Sequence, residues 1–100
     1  MRINVLDYYD VADWELIRAE ADRHETPFIV VNLNIIKAKY AELKKHFQFA
    51  NVYYAVKANP AKEVLELLRD LGSNFDIASI YELDRVLALL FIHLSLLVCR

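Results

Sequence analysis

Glycine, proline and cysteine are scarce in this sequence of 100 residues, which contains one, two and one of them respectively. The single cysteine, Cys99, excludes an intramolecular disulfide, so we expect a reducing compartment. The single glycine, Gly72, leaves no glycine-rich loop whose backbone amides could hold a phosphate. No apolar run opens the chain, and acids follow at Asp7 and Asp10, which disfavours a signal peptide and predicts a cytoplasmic protein.

The chain also lacks a strong charge of either sign, because its formal net charge is −2. Its basic residues concentrate in the middle of the chain, where a solvated helix face is the simplest interpretation. Four of the six basic residues at positions 28–62 are Lys37, Lys39, Lys44 and Lys45. No aromatic residues alternate with these lysines in a recognisable binding motif, so we expect no nucleic-acid partner.

Neither a membrane span nor a metal site is expected. The uncharged stretch at residues 86–99 is shorter than the roughly 20 residues that a helix needs to cross a bilayer. The three histidines, His24, His46 and His93, do not show the spacing of metal ligands. Hydrophobic residues nevertheless make up 57% of the chain, enough for one small folded domain.

Hydrophobic spacing in the first half predicts a helix, a strand and a second helix. Apolar residues recur at helical intervals from Asp10 to Glu25, which favours an amphipathic helix. Thr26-Pro27 ends this helix, and the run Phe28–Leu33 is typical of a buried strand. Asn34 is the expected cap of the second helix. Its apolar stripe is Ile36, Tyr40, Leu43 and Phe47.

The second half predicts two further strands, each followed by a helix. The β-prone run Val52–Lys57 is followed by a helix with Pro60 in its first turn and Gly72 after its last. Phe75–Ala78 is the next expected strand, and Ser79–Glu82 matches a capping box that opens a helix. Strands and helices that alternate over short connections predict an α/β fold with a parallel sheet or barrel.

Lys57 is the residue with the clearest chemical potential. Strand carboxyl ends collect catalytic groups in parallel β/α folds, and Lys57 is expected at such an end. Its neighbours on the same strand face are Tyr53 and Ala55, and the small Ala55 leaves room beside the lysine for a flat molecule. A lysine in partly apolar surroundings can attack an aldehyde. A simply solvated lysine is the alternative that position alone favours.

Several short blocks in this region resemble a known family. They are YAVKANP at residues 54–60, Val64-Leu65 with Leu68, Leu71-Gly72, FDIAS at residues 75–79 and Glu82-Leu83. Together they are similar to the first pyridoxal 5′-phosphate (PLP) binding stretch of the ornithine, lysine, diaminopimelate and arginine decarboxylases. FDIAS followed by Glu-Leu resembles the ornithine and lysine branch more than the diaminopimelate branch, which tends to carry V-S-x-G-E-L there.

This resemblance implies a fold and a set of site residues. The fold would be the first βα units of a PLP-binding (β/α)8 barrel, incomplete, preceded by the amphipathic helix and the short strand. Lys57 would bind PLP covalently, with Asp76 and Ala55 beside the cofactor. Glu82 and Asn59 would line the site, although a capping role already accounts for Glu82 and a turn could account for Asp76.

The resemblance also implies an activity, the decarboxylation of ornithine or lysine to a diamine in polyamine biosynthesis by a homodimer. The chain would include residues 1–89 of the family's barrel domain, followed by an unrelated apolar tail at residues 90–100, and we expect a change of reading frame or gene model near Leu89. The phosphate-binding loop and the residues lent by a second subunit lie downstream in the family, so we expect this chain to be inactive alone. The alternatives are a non-catalytic module that pairs with a full-length homologue, a diaminopimelate decarboxylase and a small PLP carrier.

Overall fold

A computed structural model describes the backbone of residues 2–98 and the side chains of residues 2–89. The chain divides into two compact units, and the boundary lies between Val31 and Asn32. Each unit is described by itself below.

The first unit contains one helix, α1, at Val11–Ala21, preceded by a 3₁₀ turn at Val5–Asp7. The Asp10 carboxylate accepts a hydrogen bond of 2.8 Å from the Asp13 amide and so caps α1. The helix ends earlier than the expected Glu25, because the chain turns after Ala21. Near this end, Glu20 Oε1 lies 3.1 Å from Arg23 Nη1, and Glu20 Oε2 lies 3.1 Å from His24 Nε2.

The prediction of a strand at Phe28–Leu33 is wrong. Residues 28–32 have no regular structure, and Ile29 is 89% exposed. The side chain of Asn32 accepts a hydrogen bond of 2.9 Å from the Asn34 amide, so the next helix begins at Leu33. Asn32 is therefore the cap, two residues before the predicted Asn34. A β-prone composition is insufficient here, since a strand also requires a neighbouring strand to bond its backbone.

The second unit contains the remaining elements, and α/β is confirmed as its fold class. In chain order they are α2 (Leu33–His46), β1 (Tyr53–Ala55), a 3₁₀ turn (Val56–Ala58), α3 (Lys62–Asp70), β2 (Asn74–Asp76) and α4 (Ile80–Val98). The strands β1 and β2 form a parallel pair in which Tyr53, Tyr54 and Ala55 lie opposite Asn74, Phe75 and Asp76. Helix α3 connects them, so β1, α3 and β2 make one βαβ unit. No helix within residues 2–98 has the length and apolar character that crossing a membrane requires.

The core of this unit lies where α3 and α4 pack on one face of the sheet. Val56, Leu65, Val86 and Leu89 form one buried cluster there, and all four are at most 4% exposed. Tyr54, Phe75 and Ile77 pack against this cluster from the sheet side. The stripe expected on α2 is only partly covered, because Leu43 and Phe47 remain 43% and 59% exposed.

Of the two end signals predicted for α3, the stop at Gly72 is confirmed and the start at Pro60 is not. Gly72 adopts φ +86° after α3, its amide donates to the Arg69 carbonyl, and the Ser73 amide donates to the Leu68 carbonyl, both at 2.9 Å. These two bonds form a Schellman motif. Pro60 lies outside the helix, one residue before the cap at Ala61, and not in the first turn as predicted.

Candidate functional site

Lys57 lies in the 3₁₀ turn that follows β1, and not on the strand as predicted. The strand ends at Ala55, and the next side chain, Val56, is completely buried in the core. Lys57 and Ala58 are both exposed. The turn therefore begins at a buried anchor and directs the lysine side chain to the surface.

One face of the sheet packs on the helices and the other is open. Tyr54 and Phe75 contact the core, so alternation of side chains places their strand neighbours on the opposite face. We call this the open face, which is formed by Tyr53, Ala55, Asn74 and Asp76. Tyr53 is 65% exposed, and Asn74 and Asp76 are also exposed.

Three of the predicted site residues lie at or just after the carboxyl ends of the two strands. Ala55 and Asp76 are the last residues of their strands and lie directly opposite each other. Lys57 follows Ala55 by two residues. Parallel strands are about 4.8 Å apart, so Asp76 and Lys57 are separated by that spacing and two residues of chain. The arrangement brings an amine, a carboxylate and a small side chain to one edge of the sheet.

Neither Lys57 nor Asp76 takes part in an ion pair with the side chains described for residues 2–89. An exposed lysine without an acidic partner is accessible to an aldehyde, and the half-buried Ala55 adds no bulk beside it. These residues fit the covalent attachment of PLP at Lys57. Among the same residues, no group of three or more metal-binding side chains is present.

Asn59 has a structural role in this region. Its Oδ1 accepts a hydrogen bond of 3.0 Å from the Ala61 amide, just before α3 begins. Its carbonyl oxygen accepts a bond of 3.2 Å from the hydroxyl of Tyr54. Asn59 therefore closes the turn after Lys57, and its place in the lining of the site stays a prediction.

Glu82 forms the capping box that its position predicts. Its amide donates to Ser79 Oγ at 3.3 Å, and its Oε2 accepts a bond of 2.8 Å from the Ala78 amide. The carboxylate thus reaches one residue further back than the Ser79 cap. These bonds account for its conformation at the start of α4, and its membership of the site stays a prediction.

Sequence reasoning missed Arg85 and the hydroxyl of Tyr54. Arg85 Nη1 donates a hydrogen bond of 3.1 Å to the Pro60 carbonyl, which lies 25 positions earlier in the chain. No local pattern predicts this contact, because it depends on how α4 packs beside the start of α3. The tyrosine belongs to the YAVKANP block, but periodicity alone identifies only its ring as a core group.

The apolar groove between α2, β1 and α3 is separate from this edge. It has a volume of about 340 Å³, and Tyr40, Tyr54 and Leu68 are among the residues that line it. None of Lys57, Ala55 and Asp76 lines this groove. Among the residues that the structure describes, the candidate site is therefore the open edge of the sheet and not this groove.

Comparison with known sequences identifies relatives of the chain. A family model described as the pyridoxal binding domain of pyridoxal-dependent decarboxylases matches residues 33–96. A lysine/ornithine decarboxylase of Selenomonas ruminantium is 43% identical over 68 residues, which are 68% of this chain and 17% of that protein. An ornithine decarboxylase of Saccharomyces cerevisiae is 42% identical over 65 residues, 65% of this chain and 14% of the relative. A diaminopimelate decarboxylase of Campylobacter jejuni is 41% identical over 64 residues, 62% of this chain and 16% of the relative.

A solved structure agrees with these relatives. The crystal structure of lysine decarboxylase from Selenomonas ruminantium superposes with a TM-score of 0.70 and 35% sequence identity, over 89% of this chain and 22% of that one. The chain therefore spans about a fifth or less of the length of the relatives it matches. The match over residues 33–96 covers most of the chain and includes β1, β2 and the turn that carries Lys57. This chain belongs to the family of pyridoxal-dependent decarboxylases and carries part of their pyridoxal binding domain.

Proposed function

We propose that this chain is the lysine-bearing part of a PLP-dependent decarboxylase of ornithine or lysine, and that Lys57 binds the cofactor covalently. The observation that carries the proposal is that Ala55 lies opposite Asp76 at the carboxyl ends of two parallel strands, and that the exposed Lys57 follows Ala55 by two residues. The family membership supplies the cofactor class. The FDIAS block followed by Glu82-Leu83 supports the ornithine and lysine branch.

Each side chain at this edge has a proposed task. The amine of Lys57 would hold the cofactor through a covalent bond to its aldehyde carbon, formed with loss of water. Bound PLP supplies an electron sink for the negative charge that remains when CO2 leaves an amino acid. The carboxylate of Asp76 attracts and orients the free amine of Lys57. Ala55 keeps the open face flat enough for an aromatic ring to lie beside the strand.

The rest of the proposal concerns parts of the site outside this chain. With Gly72 engaged as a helix stop, no glycine-rich loop is available here for the cofactor phosphate. We infer that activity requires the parts of the domain that the relatives carry beyond the matched segment, with two subunits in a homodimer. We therefore expect this chain alone to be inactive. We also propose a cytoplasmic location and a role in polyamine biosynthesis.

Covalent labelling tests the assignment of Lys57 directly. The chain is incubated with PLP, reduced with borohydride and digested, and the modified lysines are mapped by mass spectrometry. We expect Lys57 to be labelled in preference to the other lysines. Lys57→Ala should remove this label, whereas Lys62→Ala should leave it unchanged, because Lys62 is an exposed lysine on α3 that pairs with Glu66 at 3.6 Å. Equal labelling of all lysines would refute a specific site.

A further inference from the structure

The backbone that follows Lys57 is held by side chains from two different elements. We call residues 56–61 the lysine turn. On one side, the Tyr54 hydroxyl of β1 donates to the Asn59 carbonyl at 3.2 Å. On the other side, Arg85 of α4 donates to the Pro60 carbonyl at 3.1 Å. Two consecutive carbonyl groups of the turn are therefore bonded by side chains, one from five positions earlier and one from 25 positions later in the chain.

The position of Pro60 leaves its carbonyl outside the hydrogen bonds of α3. Pro60 precedes the cap residue Ala61, so the first amides of α3, which bond the Ala61 carbonyl, do not reach it. The bond from Arg85 supplies a charged donor, and hydrogen bonds of this kind are stronger than neutral ones. Arg85 thus connects α4 to the segment that joins Lys57 to α3.

The two bonds complement the burial of Val56. That side chain is fully buried and fixes the first residue of the lysine turn. The bonds at Asn59 and Pro60 fix its end. Lys57 lies between these fixed points, so its backbone is held although its side chain is exposed and has no ion-pair partner among residues 2–89.

We propose that Arg85 is a positioning residue for Lys57, which acts through the Pro60 carbonyl, with Tyr54 in the same role from the opposite side. The consequence for Lys57 rests on the proposed function, since it concerns the reaction of that amine with PLP. By holding the lysine turn, Arg85 keeps the amine at the edge where Asp76 ends β2. Arg85 itself does not contact the cofactor in this proposal.

The chain offers a matched control in Arg69. Its Nη1 donates a hydrogen bond of 3.1 Å to the Leu89 carbonyl, so it also connects α3 to α4. This bond lies at the opposite end of α3, away from the lysine turn. Arg69→Met and Arg85→Met each remove one positive charge and one bond from a side chain to a carbonyl, and Arg69→Met also removes the ion pair with Asp70 at 2.9 Å. Only Arg85→Met removes a bond to the lysine turn.

Hydrogen exchange of the backbone amides tests whether Arg85 holds the turn. An exposed hydrogen bond of ordinary strength corresponds to roughly a two- to tenfold change in the local opening equilibrium. We expect exchange of the amides of residues 57–59 and of Ala61 to accelerate by this factor in Arg85→Met and in Tyr54→Phe, which keeps the ring in the core. Arg69→Met should leave these amides unchanged. Unchanged rates in both Arg85→Met and Tyr54→Phe, or equal acceleration in Arg69→Met, would overturn the proposal.

Labelling with PLP and borohydride then tests the consequence for Lys57. We expect the ratio of Lys57 to Lys62 labelling to fall roughly two- to tenfold in Arg85→Met and to persist in Arg69→Met. The fall should remain at about 1 M salt, where the screening length of about 3 Å removes a long-range charge effect. A ratio unaffected by Arg85→Met would refute the positioning role. If the unsubstituted chain shows no preference for Lys57, the proposed function fails, and the exchange comparison still decides whether Arg85 holds the turn.

Discussion

Replacement of Gly72 by alanine should destabilise the second unit through the backbone alone. Gly72 has φ +86°, and a Cβ added there would have no atom within 4 Å. Steric contact with other residues therefore contributes nothing to the cost. What remains is the left-handed backbone conformation, which costs an L-residue with a Cβ roughly 1–2 kcal/mol. We expect Gly72→Ala to lower the free energy of unfolding by about this amount.

Urea denaturation followed by far-ultraviolet circular dichroism measures the effect. The only tryptophan, Trp14, lies in the first unit, so its fluorescence is the wrong signal for this experiment. With a urea dependence of about 2 kcal/mol per molar, the midpoint should fall by roughly 0.5–1 M. Gly72→Asn is the matched variant, because asparagine tolerates this conformation better than alanine. An unchanged midpoint in Gly72→Ala, or a larger loss in Gly72→Asn, would refute the reasoning.

Three further predictions concern the core and the start of α4, measured by the same denaturation. Leu65→Ala should cost about 2–5 kcal/mol because Leu65 is 1% exposed, and Leu87→Ala should cost clearly less because Leu87 is 37% exposed. Equal losses would contradict the core described here. Ser79→Ala should cost about 1 kcal/mol, since it removes the hydroxyl that accepts the Glu82 amide. Glu82→Gln should change the free energy of unfolding by less than about 0.5 kcal/mol, because glutamine also suits a capping box. A loss as large as that of Ser79→Ala would show that the charge of Glu82 is essential there.

Features that depend on a few neighbouring residues were predictable from the sequence. The helix stop at Gly72 and the cap at Ser79 form as predicted. Glu82 also folds back as predicted, although it bonds the amide of Ala78. Each rests on hydrogen bonds between residues less than six positions apart. The α/β class followed from the same signals, because they delimit the helices that flank the two strands.

Features that depend on distant partners were harder to predict. Phe28–Leu33 has the composition of a strand, yet residues 28–32 pair with no strand within residues 2–98. Lys57 leaves the strand because Val56 turns into the core formed by α3 and α4, which the local sequence does not reveal. The bond from Arg85 to Pro60 has the same origin. In each case, the deciding contact lies far away along the chain.

The geometry of the candidate site depends both on a distant strand pairing and on the local helix stop at Gly72. Resemblance to a family identified Lys57 and Asp76, but their proximity depends on the register that places Ala55 opposite Asp76. That register requires β2 to begin at Asn74, two residues after the left-handed turn at Gly72. A substitution that shifts this turn by one residue would move Asp76 to the other face of the sheet. The preference of PLP for Lys57 should therefore weaken in Gly72→Ala only if the register changes. If the variant loses stability and keeps the labelling ratio, the turn stabilises the fold without controlling the site.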